Sequence, residues 1–376
     1  MKQLLGPLQN FRAKAEMSLS YRTSGVVSRI ASLFRATKGR HTKLIAVTGS
    51  FGKTTTTRAI AQILGAYTDR VALNCFSYLY FQAIRQTSGR AIGVVEIGIG
   101  QPKQMRRYAE AIRPDVAVVT CVGLEHEKSF PDGLDGIRNE KSELVRGLGA
   151  SGVAVLNRDD ERVMWMATRT KARVVTFGRH PEADIAIVGT ESRLEGLCVI
   201  LRIAGREHRV QTRLFGTVSA LPISAAVAAA HVVGIDLQHT FDALTRLPPT
   251  PRRLEVVRLG AGASIVVDDE KSTPPTIHAA FDAMADLECR RRFLVLGNIP
   301  KSTAEPKLPI YHAIARHAGQ VFDRILLIHL EDDVYDVYRS NLAQAGLDAA
   351  RTRASKTFTT RTKSCGTSSK RVTLSC

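Results

Sequence analysis

Between residues 43 and 157 short apolar runs alternate with longer stretches whose apolar positions recur every three to four residues. The runs Leu44–Thr48, Ile92–Ile97, Val116–Thr120 and Val153–Leu156 are rich in β-branched residues and too short for helices, so they predict buried strands. Between them the 3.6-residue period predicts helices over 53–65, 102–112 and 136–147. Strand and helix in strict alternation define an α/β domain with a parallel sheet. The pattern then changes to alternating residues over 173–214, with Ala204-Gly205-Arg206 as a turn, which predicts a small antiparallel appendix. An Ala-rich helix over 219–233 follows. Leu247-Pro248-Pro249-Thr250-Pro251 cannot continue a helix and reads as a hinge. Beyond it the α/β alternation restarts, with strands at Ser264–Val267, Phe293–Leu296 and Arg324–Ile328 and helices over 275–287 and 308–318. The expected organisation is a basic helical segment (1–42), a P-loop-type parallel-sheet domain (43–247), a smaller Rossmann-like α/β domain (248–350) and a disordered tail (351–376).

Composition sharpens the two ends. The formal charge of +18 suggests a polyanion partner, but residues 1–40 and 351–376 together carry +14 of it and leave the middle mildly basic. The last 26 residues include twelve Ser/Thr and too little apolar surface to fold alone. No helix-turn-helix, RNA-binding or zinc-finger pattern accompanies the charge, so no specific nucleic-acid partner is expected. In the first segment Val26, Val27, Ile30, Leu33 and Phe34 share a helical face with Arg29 and Arg35 elsewhere. Packing against the next domain is the favoured reading, and contact with a membrane surface is the weaker alternative. The longest apolar run, 221–235, is broken by Pro222, Ser224 and His231, so no transmembrane span is expected. Six unpaired-looking cysteines and no visible secretory signal suit a reducing, cytoplasmic location.

The chemistry concentrates at the carboxyl ends of the predicted strands. Thr48-Gly49-Ser50-Phe51-Gly52-Lys53-Thr54-Thr55 joins the first strand to the first helix. Gly49 and Gly52 let backbone N–H groups curl around an anion, and the helix start adds its positive dipole end. Lys53 would reach terminal phosphates, and the Thr54 hydroxyl would sit on Mg²⁺. Glu96 ends the next strand, where it could hold the metal or cap a helix. His126 follows the strand ending at Thr120 and reads equally as a ligand or a structural histidine. Lys141 sits in mid-helix and reads locally as a solvated lysine beside glutamates. Asn157-Arg158-Asp159-Asp160 could contact a base or ribose, or form an Asx turn and helix cap. Val266-Val267-Asp268-Asp269-Glu270 repeats the strand-then-acid theme in the second domain.

In this order the pieces resemble the Mur ligase family of ATP-dependent amide-bond-forming enzymes, which includes peptidoglycan amino-acid ligases and folylpolyglutamate synthase. Thr48 to Thr55 is similar to the family loop Thr-Gly-x-x-Gly-Lys-Thr-[Ser/Thr], Glu96-Ile97-Gly98 to its Glu-x-Gly, and Thr120 to Phe130 to its Thr-Asn-[Ile/Val]-Gly-x-x-His segment. The resemblance covers roughly residues 43–330 and is nearest the D-alanyl-D-alanine-adding members. It implies ATP held by Gly49, Ser50, Phe51, Gly52, Lys53, Thr54, Thr55, Asn157, Asp160, Arg253 and Asp269. It implies Mg²⁺ held by Thr54, Glu96, His126 and a carbamylated Lys141, with Lys53, His126 and Lys141 as catalytic groups. A small-molecule or peptide carboxylate and an amine would be the substrates. Several positions depart from the pattern. Cys121 stands for the usual Asn, Val218 and Pro222 stand where His and Asn are normal, and Glu270-Lys271-Ser272 follows the acidic pair. Residues 1–42 are too short for a UDP-sugar-binding domain, so a UDP-muramoyl peptide is not the expected substrate. The third domain is expected to be incomplete.

Overall fold

The computed structural model describes residues 32–37, 40–67, 71–74, 91–125, 129–297, 299, 307–328, 332–344 and 352–355. They fall into two compact units, 1–267 and 268–376.

The first unit is built on a nine-stranded sheet. Its members are β1 (Lys43–Thr48), β2 (Val71–Asn74), β3 (Ile92–Glu96), β4 (Val116–Val119), β5 (Val153–Asn157), β6 (Arg173–Gly178), β7 (Ile185–Arg193), β8 (Gly196–Ile203) and β9 (Arg206–Thr212). The spatial order is β2-β3-β1-β4-β5-β6-β7-β8-β9. Pairing is parallel from β2 through β7 and antiparallel from β7 to β9. The predicted parallel sheet and antiparallel appendix are thus one continuous sheet. β1, β4 and β5 are buried on both faces, which accounts for their unbroken apolar sequences.

Helices cover both faces. Ile45 and Val47 point into a core shared with α1 (Lys53–Tyr67), α5 (Ala220–Val232) and α6 (Leu237–Thr245). Leu44 and Ala46 point into the opposite core, shared with α2 (Gln104–Ile112) and α3 (Gly133–Arg146). The two-residue alternation of the strand therefore divides β1 between two cores. α5 has buried residues on every side, as an Ala-rich helix without a polar face must. The short α4 (Glu161–Trp165) follows β5. An antiparallel hairpin of β10 (Glu255–Arg258) and β11 (Ser264–Val267) completes the unit.

Residues 32–36 are helical, as expected of the basic leading segment, but the sides are exchanged. Arg35 is buried and Leu33 is 67% exposed. The Arg35 guanidinium donates to Ile112 O (3.0 Å) and to Asp115 Oδ2 (3.1 Å), so the contact with the domain is polar. Burial draws its pKa down, and Asp115 opposes that shift. Phe34 packs on the α2/α3 core as an apolar face should. The positions proposed for membrane contact before residue 32 lie outside the described residues.

The second unit holds a parallel sheet, β12 (Phe293–Leu296), β13 (Arg324–Ile328) and β14 (Thr352–Ser355), in that order. Its helices are α7 (Pro274–Ala285), α8 (Lys307–Val321) and α9 (Asp332–Gln344). β14 places Thr352–Ser355, within the segment expected to be disordered from 351, in a strand. Its Thr-Arg-Ala-Ser sequence carries no strand signal, yet it pairs in register with β13, from Ile325↔Thr352 to Ile328↔Ser355. Ladder hydrogen bonds are indifferent to side chains, so a neighbouring strand can hold a polar segment.

On α7 and α8 the rings of His278 and His317 stack, with their Nδ1 atoms 2.7 Å apart, and His317 Nε2 lies 3.3 Å from Asp282. Desolvation first, then the neighbouring imidazole, lowers the His278 pKa below the ordinary histidine value, while Asp282 raises it. The unfolded chain therefore takes up this proton more readily than the native one. This group leaves stability unaffected above the ordinary histidine value of about 6.5 and lowers it as the pH falls from there towards the depressed native value. Thermal melts should show a lower midpoint at pH 5.5 than at pH 7.5, and His278→Asn should reduce the difference.

Candidate functional site

β1 lies between β3 and β4, where the strand order reverses, and the carboxyl end of such a strand opens into the ligand crevice of an α/β sheet. The Gly49–Lys53 turn leaves β1 at that point and enters α1 directly. Its shape is held from the β4 side. Ser50 N donates to Cys121 O (2.9 Å), Ser50 Oγ pairs with Gly123 in both directions (2.8 Å each), and Thr120 Oγ1 donates to Phe51 O (2.5 Å). Gly49 has φ +143°, and a Cβ there would lie 1.9 Å from Thr120 Oγ1. Gly52 has φ +80°. Only glycine meets both demands. Lys53 Nζ folds over the turn and donates to Gly49 O (2.7 Å) and Ser50 O (3.3 Å).

Glu96 ends β3 opposite Val47 of β1, and its Oε1 accepts from the Thr54 hydroxyl (3.2 Å). The first turn of α1 and the end of β3 thus bring two hard oxygen donors together beside the loop. Magnesium dehydrates reluctantly and takes one or two protein oxygens plus phosphate and water. The donor pair fits that demand, although among the described residues no cluster of three or more His, Cys, Asp or Glu forms. His126 lies outside the described residues.

Lys141 departs most from its local reading. It is fully buried in α3, and its Nζ donates to Glu125 Oε1 at 2.7 Å. Its partner comes from the loop after β4 and not from a neighbour on its own helix, and Glu125 is also buried. Adjacent Glu140 accepts from Lys103 N and Met105 N (2.7 Å each) and caps the start of α2. Glu125 was missed from sequence, although an acid directly before His126 at a strand-end loop was a usable signal.

The Asn157–Asp160 turn supplies the Asx turn and cap. Asn157 Nδ2 donates to Thr120 O (2.8 Å) and Oδ1 accepts from Asp159 N (3.0 Å). Asp160 Oδ1 accepts from Arg162 N (2.9 Å) and Val163 N (3.3 Å) at the start of α4, and Oδ2 accepts from Val122 N (2.7 Å). One carboxylate therefore ties α4 to the segment that shapes the loop. Asp160→Ala should cost about 1–2 kcal/mol in urea unfolding, the range of a lost N-cap, and Asp160→Asn less.

Cys121 shares this segment, and its Sγ accepts from Phe51 N (3.3 Å). Burial pushes the thiol pKa up, against the opposing influence of the Phe51 backbone, Lys141 and Lys53. Thr250 Oγ1 lies 3.4 Å from Thr55 Oγ1, which sets the proline-rich segment against α1. Arg253 follows three residues later, flanked by Arg252 (φ 59°) and Leu254 (φ 49°) in the left-handed region. Asp269 is an exposed residue of the second unit.

Residues 47–230 match the Mur ligase middle domain. The UDP-N-acetylmuramoyl-tripeptide–D-alanyl-D-alanine ligase of Bacillus subtilis (strain 168) is 27% identical over 263 residues, 69% of this chain and 56% of that protein. Its namesake in Mycobacterium tuberculosis (strain H37Rv) is 29% identical over 269 residues, 68% and 52% respectively. The chain thus spans about half the length of the curated relatives it matches. The fold is shared with the MurF ligase of Thermotoga maritima in complex with ADP, with a TM-score of 0.74 at 20% identity over 88% of this chain and 74% of that one. It is shared also with the Mycobacterium tuberculosis folylpolyglutamate synthase complexed with ADP, with a TM-score of 0.69 at 16% identity, 92% and 88% covered. Among the described residues, no helix is long and apolar enough to cross a membrane.

Proposed function

We propose that this chain binds Mg²⁺-ATP in the Gly49–Thr55 loop and catalyses ADP-forming amide-bond synthesis between a carboxylate and an amine. The observation that carries the reading is the loop itself, a glycine-only cradle opening on α1 with Lys53 and the Thr54–Glu96 pair at its rim. The match of residues 47–230 to the Mur ligase middle domain supports the reaction class. The work would take place in the cytoplasm, with cell-wall or related polyamide synthesis as its setting.

In this reading the substrate carboxylate attacks the γ-phosphorus of ATP, the bond to the β-γ bridging oxygen breaks, and ADP leaves. The amine then attacks the acyl phosphate, loses a proton and displaces inorganic phosphate. Backbone N–H groups of the loop and the start of α1 hold the phosphates. Lys53 exchanges its contacts with Gly49 O and Ser50 O for phosphate oxygens and neutralises charge that grows during transfer. Thr54 and Glu96 would hold Mg²⁺, with His126 and, once carbamylated, Lys141 as further candidate ligands, and the ion would supply charge neutralisation on the phosphates. Asn157 and Asp160 support the loop from behind, and Arg253, beyond the proline-rich segment, is a further candidate contact.

Hydroxylamine trapping tests the proposal. Full-length protein, Mg²⁺-ATP, hydroxylamine and a panel of carboxylates, peptides included, should yield a hydroxamate and stoichiometric ADP in at least one well. ATP binding with every well blank would favour a non-catalytic nucleotide-binding relative.

A further inference from the structure

We infer that the leading segment lays an apolar stripe on an anionic lipid surface, with Arg35 tying it to the first unit. The ground is the side of the helix that the domain takes. Residues 32–36 are helical, and the buried Arg35 guanidinium donates to Ile112 O (3.0 Å) and Asp115 Oδ2 (3.1 Å). Phe34 closes on the α2/α3 core beside it. Leu33, two residues before Arg35 and so nearly opposite it on a helix, is 67% exposed. It is the most exposed large apolar side chain among the described residues.

The sequence extends that position into a stripe. On a helical period carried back from Leu33, Val26 and Ile30 fall within about 60° of it, and all three lie nearly opposite Arg35. The domain takes the Arg35 side, so the stripe belongs to the side on which Leu33 is open. Arg29 falls at its border, where a long cationic side chain can reach past apolar neighbours to a headgroup.

Charge decides what covers the stripe. Residues 1–40 hold eight Lys/Arg against one acid, Glu16. Arg40, Lys43 and Arg113 are exposed at the same end of the sheet, where β1 begins and α2 ends. A second copy of the chain would bring this positive charge against itself. Acidic headgroups pair with it while the acyl boundary takes the apolar side chains, which is how basic amphipathic helices lie on a bilayer. Ile112 and Asp115 precede β4, so the helix sits at the amino ends of the strands. The phosphate loop leaves the carboxyl end of β1 and would stay open to solution when the chain is docked.

Sedimentation of the full chain with lipid vesicles in about 0.15 M salt tests the inference. Binding to phosphatidylcholine vesicles that contain phosphatidylglycerol should exceed binding to phosphatidylcholine alone by at least about tenfold. Leu33→Asp should weaken it by about tenfold or more, with the urea melt unchanged because the side chain is open in the folded chain. Val188→Asp makes a similar apolar-to-acid change at an exposed position of β7 and should leave binding within about twofold. Equal losses from the two variants would overturn the inference, since charge alone would then hold the chain to lipid. Equal binding to both lipids, or none to either, would overturn it too. Self-association in free solution that Leu33→Asp abolishes, with no uptake by vesicles, would overturn it in favour of a second copy as the occupant.

Discussion

Gly49→Ala should abolish ATP binding at micromolar nucleotide while leaving the fold intact. The added methyl would sit 1.9 Å from Thr120 Oγ1, far inside contact distance, at a φ of +143° that side chains avoid. Thr120 cannot simply turn away, because its hydroxyl holds Phe51 O (2.5 Å) and approaches Thr48 O (3.3 Å). The turn must therefore move, and displacement of a phosphate cradle by about an ångström is enough to cost roughly a hundredfold. The strain itself should lower stability by only about 1–3 kcal/mol. Gly65→Ala is the matched control. Gly65 lies within α1, a methyl there meets nothing within 4 Å, and alanine should leave affinity unchanged and raise stability by about 0.5–1 kcal/mol. Equilibrium titration with ATP and a urea melt of each variant check both halves.

Glu125→Ala should be the most destabilising single change near the site, at about 3–5 kcal/mol in urea unfolding. It strands the Lys141 ammonium, which is completely buried and loses its 2.7 Å partner. Removing both charges, as in Glu125→Leu with Lys141→Met, should recover much of the loss, because the cost lies in the unpaired charge and not in the missing contact. A Glu125→Ala loss below about 1 kcal/mol would mean that the pair is solvated or exchanges partners. The same double change should leave activity impaired if Lys141 serves the metal, so stability and turnover separate the two roles.

These residues show what could be read before the fold was known. The loop was legible because strand, glycine turn, Lys53 and Thr54 are contiguous, and the fold only closes them over one another. Glu96 was legible because the end of a buried strand beside such a loop is a position as well as a residue. Lys141 was not. Its helix looks solvated from its neighbours, and the partner that makes burial tolerable lies 16 residues earlier, in a loop that only packing brings near. Arg35 failed for a related reason, since an arginine on a helix reads as solvated until Asp115 and the free carbonyl of Ile112 come within reach. The Asn157–Asp160 turn carried two valid readings, and hydrogen bonds to Val122 and Thr120, both distant in sequence, supply the structural one. β14 was invisible because its place depends on an edge offered by β13 and not on its own side chains.

Calorimetric titration of the full chain with Mg²⁺-ATP, beside the Lys53→Ala variant, tests the central claim most directly. The account predicts one saturable site per chain, weakened at least a hundredfold in the variant. A chain that takes up no ATP, or takes it up equally well without the Lys53 ammonium, would contradict it.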